Sequence, residues 1–200
     1  MVQPKIHIIL SELRIASMVK RMGKMISQDY RGKFPRLIGV LNAAYPFLAD
    51  LSRAITIPHD IEFVKARSFQ EGAKRYESVE MVMRPEAASI RARHIIVVDN
   101  ILDTGATMKL VRSTLTNYNP ASLAAAVLIR RDVPSLREEE KYKAEYEGFG
   151  YQGTRFLIGY GLDHSGFCRG MKDIITAESY SRTAQIDRFL EKRGELDNEE

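Results

Sequence analysis

Cysteine is almost absent: Cys168 is the only one in 200 residues, so no internal disulfide can form. Nor does any Cys/His cluster have zinc-ligand spacing. Long apolar runs are missing as well. Hydrophobic residues make up 44% of the chain but fall in short blocks, none reaching the ~18 residues of a membrane span. Residues 1–10 lack the apolar core and small-residue cleavage site of a secretory leader. These absences lead us to expect a cytoplasmic protein. Charge of one sign is scarce too, the formal net charge being +4. That mild excess suits an anionic small molecule or weak nucleic-acid contact. The basic residues are dispersed, with no aromatic-interleaved block of the kind that reads single strands, so nucleic acid is the lesser of the two. There are no internal repeats and no low-complexity segments.

What is present is an alternation of short apolar runs and amphipathic stretches. Ile15, Met18, Val19, Met22, Met25 and Ile26 recur at helical spacing, which predicts a helix over residues 12–30, broken by Gly32 and Pro35. Residues 37–41 read as a buried strand, and residues 47–55 as a helix with Pro46 in its first turn. Further strands are expected at 61–66, 79–83, 94–98, 124–129 and 156–160, and a helix at 108–115. The polar stretch 67–78 carries Gly72 and reads as a mobile loop. Residues 134–147 are charged and expected to be solvated, and 181–200 form a polar C-terminal tail. Strands alternating with helices predict an α/β fold with a mostly parallel central sheet and one domain over residues 1–180. Chemistry on such a sheet belongs at the carboxyl ends of its strands.

One segment carries chemistry: Val97-Val98-Asp99-Asn100-Ile101-Leu102-Asp103-Thr104-Gly105-Ala106-Thr107. A buried strand runs into two polar residues, then an Asp-Thr-Gly-x-Thr turn, then a helix. Gly105 lets the backbone approach a ligand. The amides of residues 103–107 meet a helix N-terminus, and the Thr104 and Thr107 hydroxyls add donors, an arrangement suited to phosphate. The plainer reading makes Asp103 and Thr104 mere helix caps. Asp-Thr-Gly alone is weak; the whole pattern is much more specific.

This segment resembles the signature with which type I phosphoribosyltransferases bind 5-phosphoribosyl-1-pyrophosphate (PRPP), and residues 12–178 resemble the hypoxanthine-guanine branch. Gly39-Val40-Leu41-Asn42-Ala43-Ala44, followed by Phe47-Leu48-Ala49-Asp50-Leu51, is similar to that branch's pyrophosphate loop and its helix. Glu62-Phe63 through Ser68-Phe69 resembles the strand entering its mobile catalytic loop. Phe156-Leu157-Ile158-Gly159-Tyr160-Gly161-Leu162-Asp163 resembles its purine-binding strand and metal-side aspartate.

The resemblance implies a type I phosphoribosyltransferase fold with a small hood built from both chain ends. It implies transfer of the phosphoribosyl group from PRPP to hypoxanthine or guanine with Mg²⁺, xanthine being a further base to test, and a homodimer or homotetramer. Asp103 would face N7 of the purine as general acid/base, with Asp99 and Asn100 holding the ribose hydroxyls. Asn42, Ala43 and Arg169 would contact pyrophosphate, and Ser68 and Phe69 would lie in the mobile loop. Phe156 would stack on the base, the Leu157 backbone would meet its edge, and Arg130, with Arg131 beside it, would read the 6-oxo group. Asp163 would hold a metal-bound water. On structural grounds alone, Phe156 would read as a core aromatic and the two arginines as solvated.

Four positions depart from the family pattern: Asn42-Ala43 where Lys-Gly is common, Asp99-Asn100 for Glu-Asp, Ser68-Phe69 for Ser-Tyr, and Arg130 for lysine. They favour, as the alternative reading, a weakly catalytic or non-catalytic nucleotide sensor on the same fold; an RNA-binding regulator on that fold is a second rival. On the resemblance alone, Asn100→Asp restores the second carboxylate and leaves activity equal or higher.

Overall fold

The computed structural model describes residues 6–69, 78–132 and 142–177. Its first strand, β1 (Ile6–Leu10), leads into α1 (Glu12–Asp29), where Ser11 is the N-cap and its side chain accepts from the amide of Arg14 at 3.4 Å. Ile15, Val19, Met22 and Ile26 are buried and Met18 half-buried, so the helical spacing in the sequence marks the core face, except at Met25, which is exposed. There follow β2 (Arg36–Leu41), α2 (Tyr45–Ala54), β3 (Asp60–Phe69) and β4 (Ser78–Met83). The second half holds α3 (Ala87–Ile90), β5 (His94–Leu102), α4 (Ala106–Thr116), β6 (Ser122–Arg131), β7 (Tyr146–Tyr151) and β8 (Ile174–Ala177).

Six strands form one sheet in the order β4-β3-β2-β5-β6-β7. Only the β3–β4 pair is antiparallel. β5 sits centrally, with Ile95 to Val98 fully buried, because a parallel strand covered on both faces must be apolar throughout. On one face Leu37, Ile96 and Val98 pack with residues of α1 and α2; on the other Ile38, Ile95 and Val97 meet Met108, Val111 and Leu115 of α4. A separate antiparallel pair joins β1 to β8, which brings the two ends of the described chain together as the expected hood. Among the described residues no helix is long and apolar enough to cross a membrane.

Three expectations need correction. Residues 156–160 are not a sheet strand: they make only isolated bridges, such as Ile158 to Ile175. Gly159, Tyr160 and Gly161 all have positive φ, which no extended strand can carry. The last strand of the main sheet is β7, whose Tyr146 is buried although it lies in the stretch expected to be solvated. Its ring is held there because Oη donates to Asp29 of α1 at 2.8 Å. The polar loop is shorter than expected, since Arg67 to Phe69 extend β3 and Ser78 opens β4. Residues 70–77 of that loop, 134–141 of the charged stretch and the tail 181–200 lie outside the described residues.

Candidate active site

β5 carries the polar pair to the carboxyl edge of the sheet within the strand itself, which continues through Leu102. Asp99 is 8% exposed, and its Oδ1 accepts from the amide of Asn100 at 2.8 Å. Burial raises its pKa to about 7, against the lowering effect of the Asn100 and Ile101 amides. Asn100 is fully buried. Its Nδ2 donates to the carbonyl oxygen of Tyr160, and among the described residues its Oδ1 has no hydrogen-bond partner. The asparagine therefore ties β5 to the Tyr160 turn, a role that no local motif announces.

Beyond Leu102 the chain turns through Asp103 and Thr104 into α4. The N-cap is Gly105, at φ 81° and ψ 2°, and no side-chain cap bond is made from it. Asp103 is thus not the cap; Thr104 Oγ1 accepts from the Ala106 amide at 3.3 Å. A left-handed N-cap without a side-chain oxygen leaves first-turn amides available to an anion. Gly105 has a second reason to be glycine. A Cβ there would lie 2.7 Å from Cβ of Tyr142, whose Oη accepts from Arg112 of α4 at 2.8 Å.

Three other segments meet this edge. The β2–α2 turn contains a cis peptide between Leu41 and Asn42, at the loop likened to a pyrophosphate loop. Asn42 is exposed there. Gly161, at φ 96°, packs against that turn so closely that a Cβ would be 1.9 Å from the Ala43 carbonyl oxygen. Arg169 closes the same segment, donating to the Gly161 carbonyl at 2.7 Å and pairing with Asp163 at 2.9 Å, while the other Asp163 oxygen accepts from Gly166 N at 2.8 Å. Tyr160 completes the link: its Oη donates to Asp50 of α2 at 2.6 Å. Burial and that carboxylate raise its pKa.

At the end of β6, adjacent arginines take different partners. Arg130 pairs with Glu147 of β7 at 3.0 Å and stays partly exposed. Arg131 is buried, and it is the one that faces Asp103, Nη1 to Oδ2 being 3.7 Å. Neighbours on a strand point to opposite faces, and the sequence could not say which would be which. Phe156 is exposed and Leu157 buried, both in irregular chain. The backbones of Ser68 and Phe69 end β3. A cavity of about 700 Å³ lies between α1, α2 and residues 169–172; it includes Tyr160, Asp50 and Arg169 but none of the residues of the Asp103 turn.

A left-handed glycine thus opens α4 just beyond an aspartate at the carboxyl edge of a mostly parallel sheet. The sequence profile of the phosphoribosyl transferase domain matches residues 6–164.

The chain belongs to the phosphoribosyltransferase family.

Its relatives agree in branch. A hypoxanthine phosphoribosyltransferase of Salmonella typhimurium is 30% identical over 162 residues, 80% of this chain and 88% of that one. A hypoxanthine-guanine phosphoribosyltransferase of Streptococcus pneumoniae is 30% identical over 176 residues, 87% and 95% of the two. The crystal structure of a Staphylococcus aureus hypoxanthine phosphoribosyltransferase superimposes with a TM-score of 0.79 at 27% identity, covering 90% of this phosphoribosyltransferase and 96% of that chain. Tyr142, Tyr160, Asp50 and Arg131 are the site-edge residues that sequence reasoning missed as participants. None lies in the Asp-Thr-Gly segment, and each joins through folding.

Proposed function

We propose that the protein transfers the phosphoribosyl group of PRPP to hypoxanthine or guanine in purine salvage. The observation that carries this reading is the β5–α4 turn, where Asp103 and left-handed Gly105 open the helix beside the Asp99–Asn100 pair. The relatives' names support the choice of a 6-oxopurine.

In the reaction a purine nitrogen bonds to C1 of the ribose as the C1–oxygen bond to pyrophosphate breaks, and the proton released by the base goes to Asp103. The 5′-phosphate sits on the amides of residues 103–107 and the Thr104 and Thr107 hydroxyls. Ala106 belongs to this cradle through its backbone. Asp99 takes the ribose hydroxyls, with Asn100 supporting the strand end beneath them. Holding base and sugar in line lowers the entropic part of the barrier. Asn42, Ala43 and Arg169 take the pyrophosphate side; Ser68 and Phe69 end β3 where the stretch likened to the mobile loop begins. Phe156 stacks on the base, whose edge meets the Leu157 backbone. Arg130 turns to the 6-oxo group, leaving a half-exposed ion pair with Glu147, a type worth only ~0–1 kcal/mol.

Mg²⁺ fits this donor set as an ion held largely by pyrophosphate and water. Among the described residues no three His, Cys, Asp or Glu side chains form a cage, and both Asp163 oxygens already have partners. Asp163 would therefore accept from a metal-bound water. When bound, the ion neutralises the leaving pyrophosphate. The protein works in the cytoplasm as a homodimer or homotetramer. The test of this reading is Mg²⁺-dependent formation of inosine or guanosine monophosphate from PRPP and the free base.

A further inference from the structure

Arg131 is an expensive residue where it stands. It ends β6 with its side chain 8% exposed, and a buried guanidinium is costly unless its charge and its N–H groups are met. They are met only in part. Nη2 donates to the Arg155 carbonyl at 3.2 Å, and the guanidinium carbon lies 5.7 Å from the centre of the Tyr151 ring, directly across the β6–β7 ladder. Nε is buried without a partner among the described residues. The carboxylate partner is Asp103 at 3.7 Å, within ion-pair range but beyond a good hydrogen bond. Arg130, one residue earlier, makes its ion pair at 3.0 Å near the surface.

Such a group is hard to explain as a stabilising element, since an apolar side chain of similar volume often does as well or better. Its geometry explains it otherwise. Tyr151 and Arg155 fix the guanidinium from the β7 side, while its free edge meets Oδ2 of Asp103. Among the described residues no other cation lies within ion-pair distance of that aspartate. A tight bidentate pair would occupy both carboxylate oxygens. A looser contact to Oδ2 constrains the carboxylate and leaves Oδ1 for a ligand.

We propose that Arg131 is a positioning residue: from its anchorage on β7 it aims the Asp103 carboxylate at the base with which Asp103 exchanges a proton. The proposal rests on the reading of Asp103 as the general acid/base.

The experiment is a double-mutant cycle with chemical rescue. Arg131→Ala and the bulkier, uncharged Arg131→Met are made in wild type and in Asp103→Asn, with circular dichroism and thermal melting confirming the fold. In wild type, either change lowers kcat by about ten- to a hundredfold, with little change in KM for PRPP or base. In the Asp103→Asn background the same changes cost nothing further, because there is no proton-transferring carboxylate left to aim. Guanidinium ion added to Arg131→Ala restores part of kcat, while neutral urea of the same shape does not. Equal losses in both backgrounds, rescue by urea as well, or a loss confined to KM for the base would overturn the proposal. If both Arg131 variants fail to fold, the residue is structural and the proposal falls. Absence of turnover in wild type with every 6-oxopurine overturns the functional reading itself, and the positioning role with it.

Discussion

Asn100 and Tyr160, sixty residues apart, are joined by a buried hydrogen bond from the Asn100 carboxamide to the Tyr160 carbonyl. A carboxylate cannot donate that bond. Asn100→Asp, which the resemblance favours as a restoration, should instead lower stability by about 1–3 kcal/mol, the cost of leaving a buried acceptor unmet. A protonated aspartic acid can still donate. Burial keeps its folded pKa above the unfolded value, so the loss is small at low pH and grows as pH rises. Thermal melts of both proteins at pH 5 and pH 8 test this; coincident melting temperatures at pH 8 would refute it.

Asp99 makes the apo protein itself pH-sensitive. Its folded pKa of about 7 lies above the ordinary 3.8, so the folded state holds a proton that the unfolded state has lost. Stability from this group is therefore present at low pH and declines as pH rises between about 4 and 7, by at most about 4 kcal/mol. Asp99→Asn removes the dependence. Without ligand, its melting temperature should gain on wild type steadily from pH 5 to pH 7 and then hold its advantage. Parallel curves would show that Asp99 is not buried as an acid.

Gly105 is constrained twice, by φ 81° and by Tyr142 Cβ at 2.7 Å from a virtual side chain. Gly105→Val should weaken binding of a purine 5′-monophosphate at least ~tenfold, since it displaces the amides meant for the phosphate. It should also lower the melting temperature, because a β-branched residue at positive φ costs roughly 1–2 kcal/mol. Calorimetric titration reads the first effect; an unchanged affinity would place the phosphate elsewhere.

The parts of this molecule that local chemistry dictates were legible in the sequence. Ile95 to Val98 are apolar on both faces, and Asp103 to Thr107 combine a turn with a helix start, so β5, α4 and the turn between them could be read directly. β7 could not. Glu147, Gly148 and Gly150 make Tyr146–Tyr151 a poor strand on local grounds, and Tyr146 is buried through Asp29, far away in sequence. Residues 156–160 misled in the opposite sense: Phe156, Leu157 and Ile158 look like a strand, but the positive φ values at 159–161 bend the chain away from one. The site shows the same division. Gly105 declares itself from its motif, whereas the choice between Arg130 and Arg131 depends on which face of β6 each occupies beside β5 and β7. Asn100, likewise, depends on a carbonyl that only folding delivers.

Phosphoribosyl transfer with Asp103 as acid/base is tested by a steady-state assay with saturating PRPP and Mg²⁺, supplying hypoxanthine, guanine and xanthine in turn to wild type and to Asp103→Asn. Wild type should form inosine or guanosine monophosphate together with one equivalent of pyrophosphate. Asp103→Asn should lose about 10²–10⁴-fold in kcat while binding the product nucleotide nearly as well. Tight nucleotide binding by wild type without turnover of any of the three bases, or an Asp103→Asn variant with the wild-type kcat, would contradict it.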